Sequence, residues 1–213
     1  MRTPTVIKCL LAATVAATPL LCDAASNYVS GTGPLTATAN VNFQVNIPQT
    51  LYLRVGTGSA YPGTLANNAA VDLITFSPAL GTVGNGTAVA GVGGDLGAGV
   101  ETAAVLSNGS GNVSLTATEA AAGLTDGSGD FIPFTQITTT AAVNTAGYTL
   151  LNPPVLNATG GASTITLTRS AAGIVTADAK WTFSYANSVT PPGGTYGGAG
   201  VNNGTVTYTA TMP

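Results

Sequence analysis

Residues 35–47 read Leu-Thr-Ala-Thr-Ala-Asn-Val-Asn-Phe-Gln-Val-Asn-Ile and carry the clearest fold signal in the chain. Apolar and polar side chains alternate here without a break, and successive side chains of an extended strand point to opposite faces. The stretch therefore predicts a long β-strand with one apolar face, which Pro48 ends or bends because proline has no N–H to donate. The apolar face consists of Leu35, Ala37, Ala39, Val41, Phe43, Val45 and Ile47.

Shorter segments rich in Val, Thr and Ile follow along the rest of the chain, separated by turn dipeptides such as Asn85-Gly86 and Asp126-Gly127. The last of them places four side chains on one face, namely Val206, Tyr208, Ala210 and Met212, with threonines opposite. No segment beyond the N-terminal stretch has a convincing helical period. The pattern predicts an all-β fold, a single antiparallel β-sandwich over residues 25–213 with glycine-rich loops. The predicted strands are residues 51–55, 71–76, 100–106, 112–118, 134–140, 163–168, 179–185 and 204–212.

The N-terminus has the three parts of a secretory signal peptide: Arg2 and Lys8, an apolar run over residues 9–21, and small residues up to position 26. A membrane anchor is the alternative, but this run is shorter than the roughly 20 apolar residues needed to cross a bilayer. We expect residues 1–24 to be removed. Both cysteines, Cys9 and Cys22, lie in this peptide, so we expect no disulfide in the mature protein.

The composition argues against several partners and chemistries. Beyond the signal peptide the basic residues are Arg54, Arg169 and Lys180, against seven acidic ones, which is too few cations to bind a phosphate backbone. We therefore expect no nucleic-acid partner, and no membrane span after cleavage. Weakly charged β-surfaces of this kind tend to associate with one another.

The residues needed for common catalytic sites are missing. The chain has no histidine, and its cysteines fall in the signal peptide, which excludes thiol catalysis and Cys/His zinc sites from the mature protein. The acids look too scattered along the chain to nominate a catalytic pair. The sequence predicts no enzyme and no cofactor. The acids considered are Asp95, Glu101, Glu119, Asp126, Asp130 and Asp178.

Three further segments each allow a functional and a structural interpretation. The glycine-rich residues 91–99 lack the Lys-Ser/Thr of a phosphate-binding loop and predict a flexible surface loop. Residues 126–130 carry two aspartates but lack the rest of a calcium loop, which favours a turn. The alternating aromatics of residues 181–185 suit a carbohydrate platform, yet such spacing is more typical of a core.

Residues 35–47, together with Pro-Gly-Gly-Thr-Tyr at 192–196 and the alternating ending at 204–213, resemble subunits of chaperone–usher fimbriae and spore-coat-U-like secreted proteins. The resemblance implies an immunoglobulin-like sandwich that lacks one strand, which each subunit receives from the N-terminal segment of a neighbour. Two departures stand beside it: Met212 occupies a position where many fimbrial subunits carry an aromatic, and the disulfide common in that group is absent.

Together with the signal peptide and the missing catalytic residues, this resemblance implies an exported structural subunit of a fimbria-like surface assembly or an extracellular coat, without catalysis. Residues 35–47 would be the strand-exchange segment, and the partners would be other copies or related subunits, with a periplasmic chaperone as a further candidate. The expected location is extracellular or at the cell surface, reached through the periplasm. The alternative is a self-complete extracellular binding or adhesion module that presents glycine-rich loops such as residues 81–99.

Overall fold

The computed structural model describes residues 26–57 and 65–213, so the predicted signal peptide, residues 1–24, lies outside the described residues. The chain divides into two units, Met1–Ile47 and Pro48–Pro213. The described part of the first unit contains no helix and no strand. Across all described residues, no helix is long and apolar enough to cross a membrane.

The described part of the second unit is built from short strands and one turn of 3-10 helix at Phe134–Gln136. The strands are β1 (Leu51–Val55), β2 (Ile74–Thr75), β3 (Val89–Ala90), β4 (Val92–Gly93), β5 (Val100–Ser107), β6 (Val113–Glu119), β7 (Gly123–Thr125), β8 (Phe131–Pro133), β9 (Ile137–Ala142), β10 (Thr149–Leu150), β11 (Gly161–Leu167), β12 (Val175–Tyr185) and β13 (Val206–Thr211).

Two principal sheets organise these strands. In the six-stranded sheet, the long strand β12 pairs with β5, β9 and β3 in antiparallel fashion and with β10 in parallel, and β5 pairs in turn with β1. In the three-stranded sheet, β6 lies between β11 and β13 and is antiparallel to both. Two ribbons, β2–β4 and β7–β8, complete the fold. The predicted all-β, antiparallel architecture is confirmed.

The core lies between the inner faces of the two principal sheets, as expected for a sandwich. Val105 and Ala179 contribute from the six-stranded sheet and Leu115 from the three-stranded one, all of them fully buried. Trp181 is also fully buried, and its Nε1 donates a hydrogen bond of 2.7 Å to the Leu151 carbonyl oxygen. The prediction that the aromatics of residues 181–185 belong to the core is confirmed, since Trp181, Phe183 and Tyr185 are all buried.

Strands predicted from alternation lie close to their observed bounds, but some predictions differ from the structure. Of residues 71–76 only Ile74–Thr75 is strand, and residues 134–140 begin with the 3-10 turn that follows Pro133 before β9 starts at Ile137. The strand expected at 179–185 begins earlier, at Val175. The short strands β3, β4, β7, β8 and β10 have no counterpart among the predicted strands.

The glycine-rich segment 91–99 is not the open loop that its composition predicts. It contains β4 and follows β3 directly, and it is tightly packed: a Cβ added to Gly99 would lie 2.7 Å from the Gly91 Cα. Gly99 also has a positive φ of 72°, a conformation that favours glycine. The glycines here allow close backbone packing rather than mobility, which corrects the expectation of a flexible loop.

Candidate functional site

Residues 35–47 keep their alternating pattern in the structure but form no strand. Their apolar side chains are exposed: Phe43 is 90% exposed, Val45 81% and Ile47 76%. The sequence predicts a strand here, whereas the single chain contains none. The physical reason is that a strand exists only through hydrogen bonds to a neighbouring strand. The apolar face of this segment is therefore exposed to solvent in the single chain.

The C-terminal strand β13 has one paired edge. It pairs with β6 from Val206 opposite Glu119 to Thr211 opposite Ser114, and it pairs with no other strand in the described part of the chain. It carries neither proline nor a charged side chain, the usual means by which a protein protects such an edge. The backbone N–H and C=O groups at this edge can therefore pair with another strand.

Strand β1 forms an edge of the other principal sheet. It pairs only with β5 among the described strands, from Leu51 opposite Ser107 to Val55 opposite Ala103, and it lies beside β13. The Ser107 hydroxyl donates a hydrogen bond of 3.1 Å to Sδ of Met212, just beyond β13, which ties the two sheets together. The outer edge of β13 thus lies beside the outermost strand of the other principal sheet. We call the channel between Leu51–Val55 and Val206–Thr211 the β1–β13 groove.

The core is incompletely covered along this groove. The inward residues of the central strand β6, such as Val113 and Leu115, are fully buried, but those of β13 are only half-buried. The apolar side chains of β1 are likewise half-buried while packing against the same core. The half-buried groove residues are Leu51, Leu53, Val55, Val206, Tyr208, Ala210 and Met212.

Tyr208 lies at the centre of the groove floor. Its ring centroid is 5.3 Å from that of Trp181, with the rings tilted by 49°, an arrangement favourable for aromatic pairs. It packs against both clusters of the core. Burial raises the pKa of the Tyr208 hydroxyl, and the charges of Glu119 and Glu101 raise it further, so this hydroxyl stays protonated at physiological pH.

The start of β1 is anchored by Asn108. The backbone N–H of Thr50 donates to Asn108 Oδ1 over 2.7 Å, and Asn108 Nδ2 donates to the Pro48 carbonyl oxygen over 2.9 Å. These bonds fix the backbone immediately after Ile47, at the boundary between the two units. The Asn108 side chain therefore holds the start of β1 in place.

A cluster of acids lies beyond the other end of β1, and the sequence did not indicate it. Asp72, Asp95 and Glu101 meet there around Arg54, whose Nη2 lies 2.9 Å from Asp95 Oδ2. The expectation that these acids are scattered is wrong for Asp95 and Glu101, because the turn before β5 folds one back onto the other. The signal that was available is their six-residue spacing across glycines.

The two aspartates at 126 and 130 adopt a turn. The Ser128 N–H donates to Asp126 Oδ1 over 2.7 Å, and the Asp126 N–H bonds to the carbonyl oxygen of Asp130. Within residues 26–57 and 65–213, no group of three or more His, Cys, Asp or Glu side chains is placed to hold a metal ion.

No family model matches the chain, and neither a curated protein nor a solved structure is significantly similar to it. Its function is therefore inferred from its own residues.

Proposed function

We propose that the protein is an exported, non-catalytic structural subunit that assembles by strand exchange into a fimbria-like surface fibre or an extracellular coat. Residues 35–47 of one copy add to β13 of the next copy, within the β1–β13 groove. The observation that carries the proposal is the coexistence in one chain of an unpaired, one-sided apolar segment and a groove with an open strand edge at β13. The immunoglobulin-like character of the sandwich belongs to the same proposal, with the incoming segment as a fourth strand of the three-stranded sheet.

The dimensions of the segment suit this role. At about 3.3 Å per residue in a strand, its thirteen residues extend over roughly 43 Å. The strand β13 has six residues, so the segment is long enough to run along its full length and beyond. Its apolar side chains would cover the half-buried floor around Tyr208 and Ala210. Its polar side chains would then lie on the outer surface, beside Thr207 and Thr209.

Both residues 35–47 and the strand β13 would contribute free energy to association. The exposed apolar side chains of residues 35–47 would leave water, at about 25 cal/mol for each Å² removed. The open N–H and C=O groups of β13 would gain partners, since an unpaired sheet edge acts as a template for another strand. Beyond residue 24 the chain has three basic and seven acidic residues, and a net charge of −4 gives little repulsion between copies.

The proposal is tested by adding a synthetic peptide of residues 35–47 to the full mature protein. The peptide should raise the unfolding temperature in a concentration-dependent way, because a ligand that binds only the folded state stabilises it by mass action. A peptide of the same composition without the alternation serves as the control. The control is expected to have no effect.

Two results would contradict strand exchange. The first is an unfolding temperature that does not respond to the alternating peptide. The second is strong hydrogen-exchange protection of the open edge of β13 in a monomer at high dilution, since the edge would then be paired within its own chain.

A further inference from the structure

The acidic cluster holds three separate parts of the chain together. Asp72 accepts hydrogen bonds from the backbone N–H and the hydroxyl of Thr57, just after β1. Asp95 accepts one of 2.8 Å from the backbone N–H of Thr102 on β5, and also bonds the hydroxyl of that residue. Glu101 Oε2 accepts one of 3.3 Å from the backbone N–H of Asp95. The cluster thus joins residues 65–73, the turn before β5, and the end of β1.

The charges within the cluster do not balance if every acid is ionised. Its one cation, Arg54, is committed to the Asp95 carboxylate at 2.9 Å and to the Gly56 carbonyl oxygen at 2.9 Å. Asp72 and Glu101 approach each other beside Gly56. A Cβ added to Gly56 would lie 2.5 Å from both Asp72 Oδ2 and Glu101 Oε2, so these two oxygens are close neighbours.

Two carboxyl groups at such a separation cannot easily both carry a charge, and they share a proton instead. Glu101 is the one that should hold it, because only 4% of this residue is exposed and burial disfavours its charged form. Asp72 should remain ionised, since it accepts two hydrogen bonds from Thr57 in addition to the one from Glu101.

We propose that protonated Glu101 and ionised Asp72 form a pH-dependent clasp that closes residues 65–73 onto the end of β1. The clasp does not depend on strand exchange, because every residue in it belongs to one chain and lies outside the β1–β13 groove. Its effect would be to hold the end of β1, a wall of that groove, at neutral and acidic pH and to release it in alkali.

The electrostatic environment agrees with this assignment. The pKa of Glu101 is raised to about 8, chiefly by burial; the hydrogen bond from the Asp95 amide acts to lower it, and the nearby charges of Asp72 and Asp95 act to raise it. Burial also acts to raise the pKa of Asp72, but its hydrogen bonds with Thr57 and Glu101 and the charge of Arg54 outweigh that effect and lower it below 3.8.

The other charged or titratable groups around Glu101 do not change the assignment of the proton to Glu101. On β12, Trp181 lies opposite Glu101, while Lys180 is paired with Thr102 and is exposed. From β13 the nearby group is Tyr208, whose hydroxyl stays protonated. No second cation in the described residues forms an ion pair within the cluster.

The direction of the pH effect follows from the pKa of Glu101. A pKa raised from 4.5 to about 8 on folding gives a contribution to stability that is complete below pH 4.5 and lost as pH rises through 8. The lowered pKa of Asp72 acts in the opposite sense, and its contribution is lost only as pH falls below 3.8. The clasp should therefore be strongest in mildly acidic solution.

The test is the pH dependence of unfolding of the full mature chain, measured by urea denaturation between pH 4.5 and pH 9. For this one group, linkage predicts a rise in the unfolded-to-folded ratio on the order of 10²–10³. In Glu101→Gln the amide keeps a donor for Asp72 but does not ionise, so most of this rise should disappear. Glu119→Gln is the matched control, because Glu119 is the other buried glutamate and lies on β6, outside the cluster.

A second measurement on the unaltered protein reports on the clasp itself. The backbone N–H of Thr57 donates to Asp72, so its protection from hydrogen exchange should fall between pH 5 and pH 9 after correction for the intrinsic exchange rate. Wild-type pH dependence in Glu101→Gln would overturn the proposal. So would pH-independent protection of the Thr57 amide.

Discussion

Phe43→Ala should weaken association between copies while leaving the folded monomer unchanged. The side chain is 90% exposed in the single chain, so its truncation should change the free energy of unfolding by less than about 0.5 kcal/mol. In a neighbour's groove the same ring would be buried, and full burial of a side chain of this size contributes about 1.5–3 kcal/mol. The dissociation constant of the assembly should rise roughly 10- to 150-fold.

The measurement combines sedimentation velocity over a range of concentrations with thermal unfolding at high dilution. Gln44→Ala is the matched control, because it alters the adjacent residue on the polar face of the same segment. If Phe43→Ala destabilised the dilute monomer, the ring would be packed within its own chain. If both variants associated as strongly as the wild type, residues 35–47 would not be the strand that copies exchange.

Two further changes test the groove floor and the glycine-rich segment. Tyr208→Ala should cost about 3 kcal/mol in urea denaturation, near the lower end of the range for aromatic-to-alanine changes because the side chain is half-buried, while Tyr208→Phe should stay within about 1 kcal/mol. Equal effects of the two would contradict the packing against Trp181. Gly97→Ala should cost about 1–2 kcal/mol for its positive φ alone, whereas Gly99→Ala should cost clearly more because its Cβ would also meet the Gly91 backbone. Similar unfolding midpoints for these two glycine variants would refute the close packing.

The sequence predicts best those strands in which apolar and polar residues alternate regularly. Strands β1, β6, β11 and β13 have clear Val, Thr and Leu patterns, and their observed bounds lie within one or two residues of the predicted ones. The long strand β12 was predicted only from residue 179, because Ala177 and Asp178 are buried beside Ala179 and the simple alternation is lost there. A strand that is buried on both faces carries less periodic signal than a strand with one solvent-exposed face.

Local sequence patterns could not predict the contacts between distant parts of the chain. The two-residue strands β3 and β4 depend on Gly91 packing against Gly99, which composition alone presents as a flexible loop. The approach of Asp72 to Glu101 requires the register of β1 against β5, because Thr57 and Gly56 lie just beyond Val55, and Val55 is opposite Ala103. A one-residue difference in that register would place Glu101 on the other face of its strand and remove the cluster.

Register also distinguishes specific assembly from aggregation at the β1–β13 groove. Any extended apolar peptide can pair with an open edge, but only one of the two faces of residues 35–47 is apolar throughout. A slip of one residue would turn Phe43 outward and press polar side chains such as Asn42 against Tyr208, leaving amide groups buried without partners. Slips of two residues keep the apolar face inward, so the alternation alone does not select among them. In the proposed assembly, the anchoring of Pro48 and Thr50 by Asn108 would offer the missing constraint, because it fixes the backbone directly after Ile47.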